Sequence, residues 1–455
     1  MLSALYRQRI APLLKEQVVY FIAPLKDPEQ ELPRLLSVLE TADVVVDQKF
    51  DSPDAVPEGF FDGRSARRVR FPYLSGRFYW PYTGAVHARM PAPEEDGILF
   101  PYVSEIGDAL VNQAILDEVP ADEALRRYDA TVAGGASRIL RLAELHMEMQ
   151  RNRDAACDLH FADFIAANYR SEPLFLTQGH PGLTLTKELV RRVFLAIDVP
   201  YSLVDATLRS MRVSPFPIQE LPIHPGVAET LGLTFVTEGR RYGFHNEGSF
   251  TFAEYVGRYL AGTWEPDLER GMRRYHAGDS EGALQLMQPA LRRCPGSPAA
   301  WRIVALALFN LGRHEAADEA MAVAIERDPQ NPDTYASLAT MCGRRRDFVA
   351  AEAAARRAIE LFPFVAAGHR ALADVMARQE RYSESAAVAR FVAANDPADG
   401  KEFAFLAHHL LLAGDLREAE WQLRRALELD PKNAGIQRQV AELEARLARA
   451  GSKAA

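Results

Sequence analysis

The chain has 455 residues, 48% hydrophobic and 25% charged, with a formal net charge of −9. That length exceeds one ordinary core and predicts two domains, the apolar content excludes a mainly disordered chain, and the acidic balance argues against a sequence-independent grip on nucleic acid. No run approaches the roughly 18 apolar residues of a membrane span, and three cysteines, Cys157, Cys294 and Cys342, without a Cys-x-x-Cys pair give neither a disulfide framework nor a zinc module, so a cytoplasmic protein with no metal site is expected.

From the amino terminus, short β-branched or aromatic runs (VVYFIAP, ADVVVDQ, RRVRFPY and LFLTQGHP) each read as a strand. Between them LPRLLSVLE, SEIGDALVNQAIL and LTKELVRRVFLAI have helical apolar spacing. The alternation predicts an α/β domain over residues 1–262 with a mainly parallel sheet, whose ligands gather at the carboxyl ends of the strands. Further on, LTFVTEGRRYGFHNE reads as a hairpin, and Thr251 with Glu254 as a capping box for the helix FAEYVGRYL.

Two stretches of this domain carry candidate chemistry. RSARRVRFPYLSGRFYWPYTGAVHAR holds Arg64, Arg67, Arg68, Arg70, Arg77 and Arg89 with no acidic residue, interleaved with Phe71, Tyr73, Phe78, Tyr79, Trp80 and Tyr82. Guanidinium groups beside aromatic faces suit a phosphate, a base or a sugar ring; the same pattern also suits an aromatic edge of the core with Arg stems lying over it. QGHPG places His180 in a turn after an expected strand, where an imidazole can act as general base. His224-Pro225 and His245 read as structural, and Cys157 and His160, three apart on an expected helix, suggest at most a thiol-imidazole pair. No Gly-rich phosphate loop is present.

The order ADVVVDQ, RFPYLSGRFYWPY, the helix before VPADEALRRYDA, LFLTQGHPG and LTKELVRRVFL resembles the WcbI-type polysaccharide-biosynthesis family over roughly residues 1–260. The resemblance implies acetyl transfer from coenzyme A to a glycan, with His180 as base, and Gln48 and the Phe71 to Tyr82 segment lining the same pocket. It implies acetyl-coenzyme A as the cofactor, with Arg68, Arg70 and Arg77 at its phosphates and Tyr79 or Trp80 against a ring. The family opens with a strand and a Gly-Asn-Cys-Gln turn, and MLSALYRQRIAPLL looks like the helix that follows it. Either in-frame upstream codons encode the missing strand and thiol, which is the expectation, or this member has lost the thiol and with it the activity.

From Trp264 the texture becomes periodic. Pro295, Pro329, Pro363, Pro397 and Pro431 recur every 34 residues, with Ala283, Ala317, Ala351, Ser385 and Ala419 in the same frame. Gly271, Ala305, Ala339, Ala373 and Ala407 are small sites in the first helix of each unit, and Gly278, Gly312 and Gly414 fall in turns. This is the tetratricopeptide pattern: an all-α solenoid of five units over 264–433, with QRQVAELEARLARA in a capping helix and tail over 434–455. The first unit has Arg270 where the others are aliphatic, which predicts that it packs on the preceding domain. A protein partner is expected on the concave face, where the frame places Arg302, Phe309, Asp333, Arg370, Asp374, Lys401 and His408. The combined reading is a coenzyme A-dependent O-acetyltransferase of glycans docked to other proteins by its repeats. The alternative is a non-catalytic adaptor whose first domain only binds a sugar or nucleotide. A glycan esterase would need a Gly-x-Ser-x-Gly elbow, which the sequence lacks.

Overall fold

A computed structural model describes residues 1–11, 13–14, 18–22, 28–51, 59–84, 87–88, 107–212, 220–244, 248–261, 266–363, 366–395 and 400–454. Arg89, His245, Trp264 and Pro397 lie outside the described residues. The chain divides into two compact units, one of Glu16–Leu311 and one of Met1–Lys15 with Gly312–Ala455. The opening helix α1 (Leu2–Leu5) and a π-helical turn (Tyr6–Ile10) therefore belong with the repeats, not with the α/β body whose helix the family resemblance implies. Leu5, Tyr6 and Ile10 are apolar or aromatic at helical spacing, and they are buried there.

In the first unit β1 (Val19–Ile22), α2 (Pro28–Leu39), β2 (Val44–Lys49) and β3 (Arg67–Pro72) build a parallel sheet in the order β1-β2-β3. The β-branched run Val44–Val46 is buried throughout, as a central parallel strand requires. Leu35 and Leu39 of α2 pack with Ala42 on Val45. The register pairs Val45 with Arg68, Asp47 with Arg70 and Gln48 with Phe71. Side chains alternate across a sheet, so Val45, Asp47, Arg68 and Arg70 share the face covered by α2, while Val46, Gln48, Val69 and Phe71 share the opposite one. The outer edge of β3 is closed by loop backbone. The N–H groups of Asp158 and Leu159 donate to the Arg70 carbonyl at 3.0 and 3.1 Å, and the Arg70 N–H donates to the Asp158 carboxylate at 2.7 Å.

Past a 3-10 turn at Arg77–Tyr79, β4 (Thr83–Gly84) pairs antiparallel with β5 (Gly107–Asp108). There follow α3 (Ala109–Leu116), α4 (Ala121–Gly134), α5 (Ala136–Asp154) and α6 (Ala162–Asn168). Buried Asp154 ends α5 and accepts from the N–H groups of Phe161 and Ala162 at 2.7 and 2.6 Å, which fixes the start of α6. LFLTQGHP, expected as a strand, is a tight loop: Phe175 and Pro181 form an isolated bridge, Leu176 N–H donates to the His180 carbonyl at 2.9 Å, and Gly182 N–H donates to the Leu174 carbonyl at 2.7 Å. Pro181 has no N–H for a central ladder, and the chain folds back on itself before a strand can extend.

α7 (Leu183–Ala196), α8 (Tyr201–Ser210) and α9 (Pro225–Leu231) complete the cover, with α5 and α7 both against β3. The hairpin is β6 (Tyr242–Phe244) with β7 (Gly248–Phe250), later than LTFV, which lies before it. The capping box forms as expected: Thr251 N–H donates to Glu254 Oε2 at 2.8 Å and Glu254 N–H to Thr251 Oγ1 at 3.3 Å, opening α10 (Phe252–Ala261). The first repeat, α11 (Pro266–His276) and α12 (Ser280–Arg293), lies in the same unit, as does α13 (Pro298–Asn310). Gly248, at φ +114°, lets the hairpin approach the Gly296 backbone, and Arg258 of α10 reaches Cys294 Sγ at 3.9 Å. The first repeat departs from the aliphatic pattern in the unit where it meets non-repeat structure.

The second unit continues with α14 (His314–Arg327), α15 (Pro332–Arg344), α16 (Phe348–Leu361), α17 (Ala366–Arg378), α18 (Tyr382–Asn395), α19 (Gly400–Ala413), α20 (Leu416–Leu429) and the terminal α21 (Ala434–Ala454). Ala317, Ala351, Ser385 and Ala419 are at most 1% exposed, which lets helix axes approach. The recurring prolines have a role beyond punctuation. For four of the five, the side chain six residues later donates to the proline carbonyl: Trp301 to Pro295 (3.0 Å), Tyr335 to Pro329 (3.2 Å), His369 to Pro363 (2.9 Å) and Gln437 to Pro431 (2.9 Å). This ties the inter-repeat turn to the next helix.

Candidate functional site

The carboxyl ends of β2 and β3 bring the most chemistry together, on the face away from α2. Tyr73 N–H extends the ladder to the Lys49 carbonyl at 2.8 Å, and its ring lies 5.6 Å from that of Phe50. Arg153, one residue from the end of α5, lays its guanidinium 5.5 Å from the Tyr73 ring centre and binds Asp51 through two hydrogen bonds of 2.9 and 2.7 Å. The Arg153 guanidinium accordingly holds the Asp51 carboxyl below its ordinary range. Burial pushes the Tyr73 hydroxyl up. The loop over Leu174–Gly182 closes on it, since a Cβ at Gly179 would strike the Tyr73 hydroxyl.

One histidine, His146, borders this juncture, and a second, His180, stands exposed in the loop next to Gly179. His146 of α5 is half-buried; burial first, then the charges of Arg77 and Arg153, lower its pKa and favour the neutral imidazole. His180 hydrogen-bonds through Nδ1 to buried Thr177 Oγ1 at 2.7 Å, and burial lowers its pKa as well. With Nδ1–H assigned as the donor, Nε2 carries the lone pair that general-base chemistry uses. Gln48 sits on the same face, half-buried, one residue before the end of β2. Arg77 is exposed at the start of the 3-10 turn; its guanidinium makes no hydrogen bond or ion pair among the described residues and projects its charge on both Tyr73 and His146.

The remaining residues assigned to the cofactor stand elsewhere. Arg68 grips the buried Asp47 carboxylate with bonds of 3.0 and 2.7 Å, and Arg70 adds a third at 3.2 Å, all on the α2 face. Their charge is thereby committed within the protein. Tyr79 is fully buried and donates to the Tyr169 carbonyl at 2.7 Å, while Trp80 is 8% exposed and donates to the Pro222 carbonyl at 3.1 Å. Both are core side chains with satisfied polar ends, packed edge-on to each other at 5.6 Å. The basic aromatic segment thus splits: the core-edge reading describes Arg68, Arg70, Tyr79 and Trp80, and the ligand-facing reading keeps Arg77 and Tyr73.

Cys157 and His160 do not pair through sulfur. His160 Nε2 meets the Cys157 carbonyl at 3.2 Å, and burial pushes the Cys157 thiol up to about 11, which disfavours the thiolate. His224 caps α9, accepting from the Gly226 N–H at 3.0 Å and bonding Asp129 at 2.9 Å, a structural role as expected. Sequence reading missed His146 and Arg153. They stand seven residues apart, beside the buried stripe Ile139, Ala143, Met147, Gln150 and Asp154 of α5. That spacing puts both near one side of the helix, but only the fold shows that this side meets the strand ends. Among the described residues no group of three His, Cys, Asp or Glu could hold a metal, and no helix is long and apolar enough to cross a membrane.

Among the repeats, Arg370 pairs with Glu402 at 2.5 Å and lies 4.8 Å over the Phe405 ring, so it is already engaged. Asp374 and His408 are exposed, Asp333 is half-buried in the first turn of α15, and Arg302 lies on α13 in the other unit.

Residues 28–202 match the family described as polysaccharide biosynthesis enzyme WcbI, and residues 268–332 and 343–400 match the tetratricopeptide repeat. No curated protein matches the chain. Among solved structures, a WcbI described as native and without a disulfide bond between coenzyme A and one of its cysteines is 16% identical. That match covers 68% of this chain and 98% of that one at a TM-score of 0.42. A thermophilic tetratricopeptide protein of Thermus thermophilus is 24% identical, covering 39% and 97% at 0.37. YrrB, a tetratricopeptide protein with an unusual peptide-binding site, is 16% identical, covering 40% and 95% at 0.27. The chain thus carries a WcbI-family polysaccharide-biosynthesis domain followed by tetratricopeptide repeats.

Proposed function

We propose that the protein transfers an acetyl group from coenzyme A to a hydroxyl of a polysaccharide or glycan, and that its repeats dock it to another protein. The observation that carries this reading is the juncture of Arg77, Tyr73 and His146 at the carboxyl ends of β2 and β3, with His180 in the loop that closes on Tyr73, inside the segment that matches WcbI. Acetyl-coenzyme A supplies an activated thioester. A hydroxyl attacks its carbonyl, the proton passes to a neutral imidazole, and the thiolate leaves. His180, steadied by Thr177, is the proposed base, and His146 offers a second imidazole at the juncture itself. Gln48 lies on the same face and can orient the acceptor through its amide. Arg77 fits a coenzyme A phosphate as an exposed cation; Arg68 and Arg70, bound to Asp47, do not.

Calorimetric titration with coenzyme A and thiol release from acetyl-coenzyme A in the presence of a glycan test the proposal. Arg77→Glu is expected to weaken coenzyme A binding at least tenfold with little change in Tm, whereas Arg68→Glu lowers Tm by removing a partner from buried Asp47. Equal affinity of Arg77→Glu and the wild type would remove the phosphate assignment. Binding without thiol release would replace the enzyme by a ligand-binding adaptor.

A further inference from the structure

The segment Met1–Ile10 has the attributes of a bound peptide. It groups with Gly312–Ala455 although β1 of the other unit begins only nine residues after Ile10. Leu5 and Ile10 are fully buried, Tyr6 and Leu2 nearly so, and Arg9 is exposed. The Ala11 N–H donates to the Tyr6 carbonyl, five residues back, at 2.8 Å. Such a π turn sets residues five apart above one another, so Leu5 and Ile10 align with Tyr6 and Leu2 in one stripe. Both α1 and the π turn pack against α18. A helix this short is unstable alone in water, so its shape depends on the surface it covers. Beside it, His369 of α17 lies against Phe391 of α18 with ring centres 3.9 Å apart, close enough for the Arg9 charge to act on that imidazole.

We infer that the surface of α18 is a docking site for a short amphipathic helix, occupied in cis by residues 2–10. A partner helix with the same pattern, aliphatic at the first, fourth and ninth positions and aromatic at the fifth, binds there by displacing it. This deepens the reading of the repeats as a protein-binding array and is independent of the acetyl-transfer reading. Tethering holds the resident segment at an effective concentration in the mM range, so a partner must bind tightly to compete.

Hydrogen exchange read by mass spectrometry on the full chain tests this. In the wild type, residues 2–10 and α18 should both be protected. The double variant Leu5→Ala, Ile10→Ala should lose protection in both places. A labelled peptide of residues 1–15 should then bind the variant saturably, at least tenfold tighter than it binds the wild type, and restore protection to α18. Unprotected exchange of residues 2–10 in the wild type would overturn the inference, as would unchanged α18 protection in the variant. If the double variant fails to fold, the wild-type protection of residues 2–10 decides alone. Coenzyme A binding should be the same in either case, which separates this result from the fate of the proposed activity.

Discussion

The repeats and the α/β region use similar residues under different rules. Ala283, Ala317, Ala351, Ser385 and Ala419 do one job at 34-residue intervals, and all are essentially fully buried. Arg68 and Arg77, only nine residues apart, do unrelated jobs: one clamps Asp47 on the α2 face and the other stands exposed at the strand ends. In a repeat, each position is read against its copies, so a residue type that recurs identifies its environment. In the sheet, direction is set by register, and a shift of one residue sends a side chain to the other face. A cluster of like residues in such a region says little about whether they meet.

The largest expected effect sharpens this contrast at a glycine whose neighbours the sequence does not reveal. Gly182 has an ordinary φ of −70°, yet a Cβ there would strike the Pro173 carbonyl, which cannot swing away as a side chain could. Gly182→Ala should destabilise the α/β unit by about 3 kcal/mol or more and displace the loop that carries His180. Chemical denaturation together with coenzyme A titration reads both. A wild-type denaturation midpoint would mean that the Leu174–Gly182 loop is not closed as described.

Next in size is the repeat frame itself. Ala351 is fully buried where α16 crosses its neighbours, and Val349, two residues earlier on the same helix, is 84% exposed. Ala351→Leu should cost about 2 kcal/mol by overpacking, and Val349→Leu almost nothing. Equal melting of the two variants would break the frame.

What was legible in the sequence follows the same division. The repeat helices, the capping box of α10 and the three β-branched strands could be read locally, because periodicity and caps are short-range properties. The fourth expected strand was not, since LFLTQGHP has a strand's composition but closes through Phe175 and Pro181. Of the candidate site, His180 could be named from its turn. Arg68, Arg70, Tyr79 and Trp80 could not be told from ligand-binding residues, because their partners Asp47, Tyr169 and Pro222 are distant in sequence. His146 and Arg153 were invisible for the converse reason: nothing local marks the side of α5 that meets the strand ends.

A pH test probes the α/β region alone. Asp108 caps α3, accepting from Leu110 and Val111 N–H groups at 2.9 and 3.0 Å and from the Tyr128 hydroxyl at 2.8 Å. Burial nonetheless raises its pKa to about 6, because desolvation outweighs those bonds. A folded pKa above the unfolded one means that the stability it contributes is full below about pH 4 and is lost as pH rises through 6. Asp108→Asn keeps an acceptor for the α3 N–H groups and cannot ionise. The wild type should lose on the order of 2 kcal/mol relative to this variant between pH 4 and pH 7.5. Parallel Tm profiles for the two proteins would show that folding leaves the Asp108 pKa unshifted.

The smallest effect lies in the repeat turns, where one backbone position has two kinds of residue. Positions 278, 312, 346, 380 and 414 all take positive φ, at +87°, +77°, +67°, +62° and +83°. Glycine fills three of them, but Arg346 and Glu380 fill the other two. A Cβ at Gly278, Gly312 or Gly414 would meet nothing within 4 Å, so the cost at these turns is backbone strain and not crowding. An L-residue in that region is strained by roughly 1 to 2 kcal/mol, and glycine returns about 0.5 to 1 of that through the greater freedom of its unfolded chain. Arg346→Gly and Glu380→Gly should each therefore stabilise the repeats by about 0.5 kcal/mol, and Gly312→Ala should destabilise them by about as much. Denaturant midpoints of the three variants, measured side by side, check the sign. If Arg346→Gly lowers the midpoint, the Arg side chain contributes a contact that outweighs its strain, and the five turns are not equivalent after all.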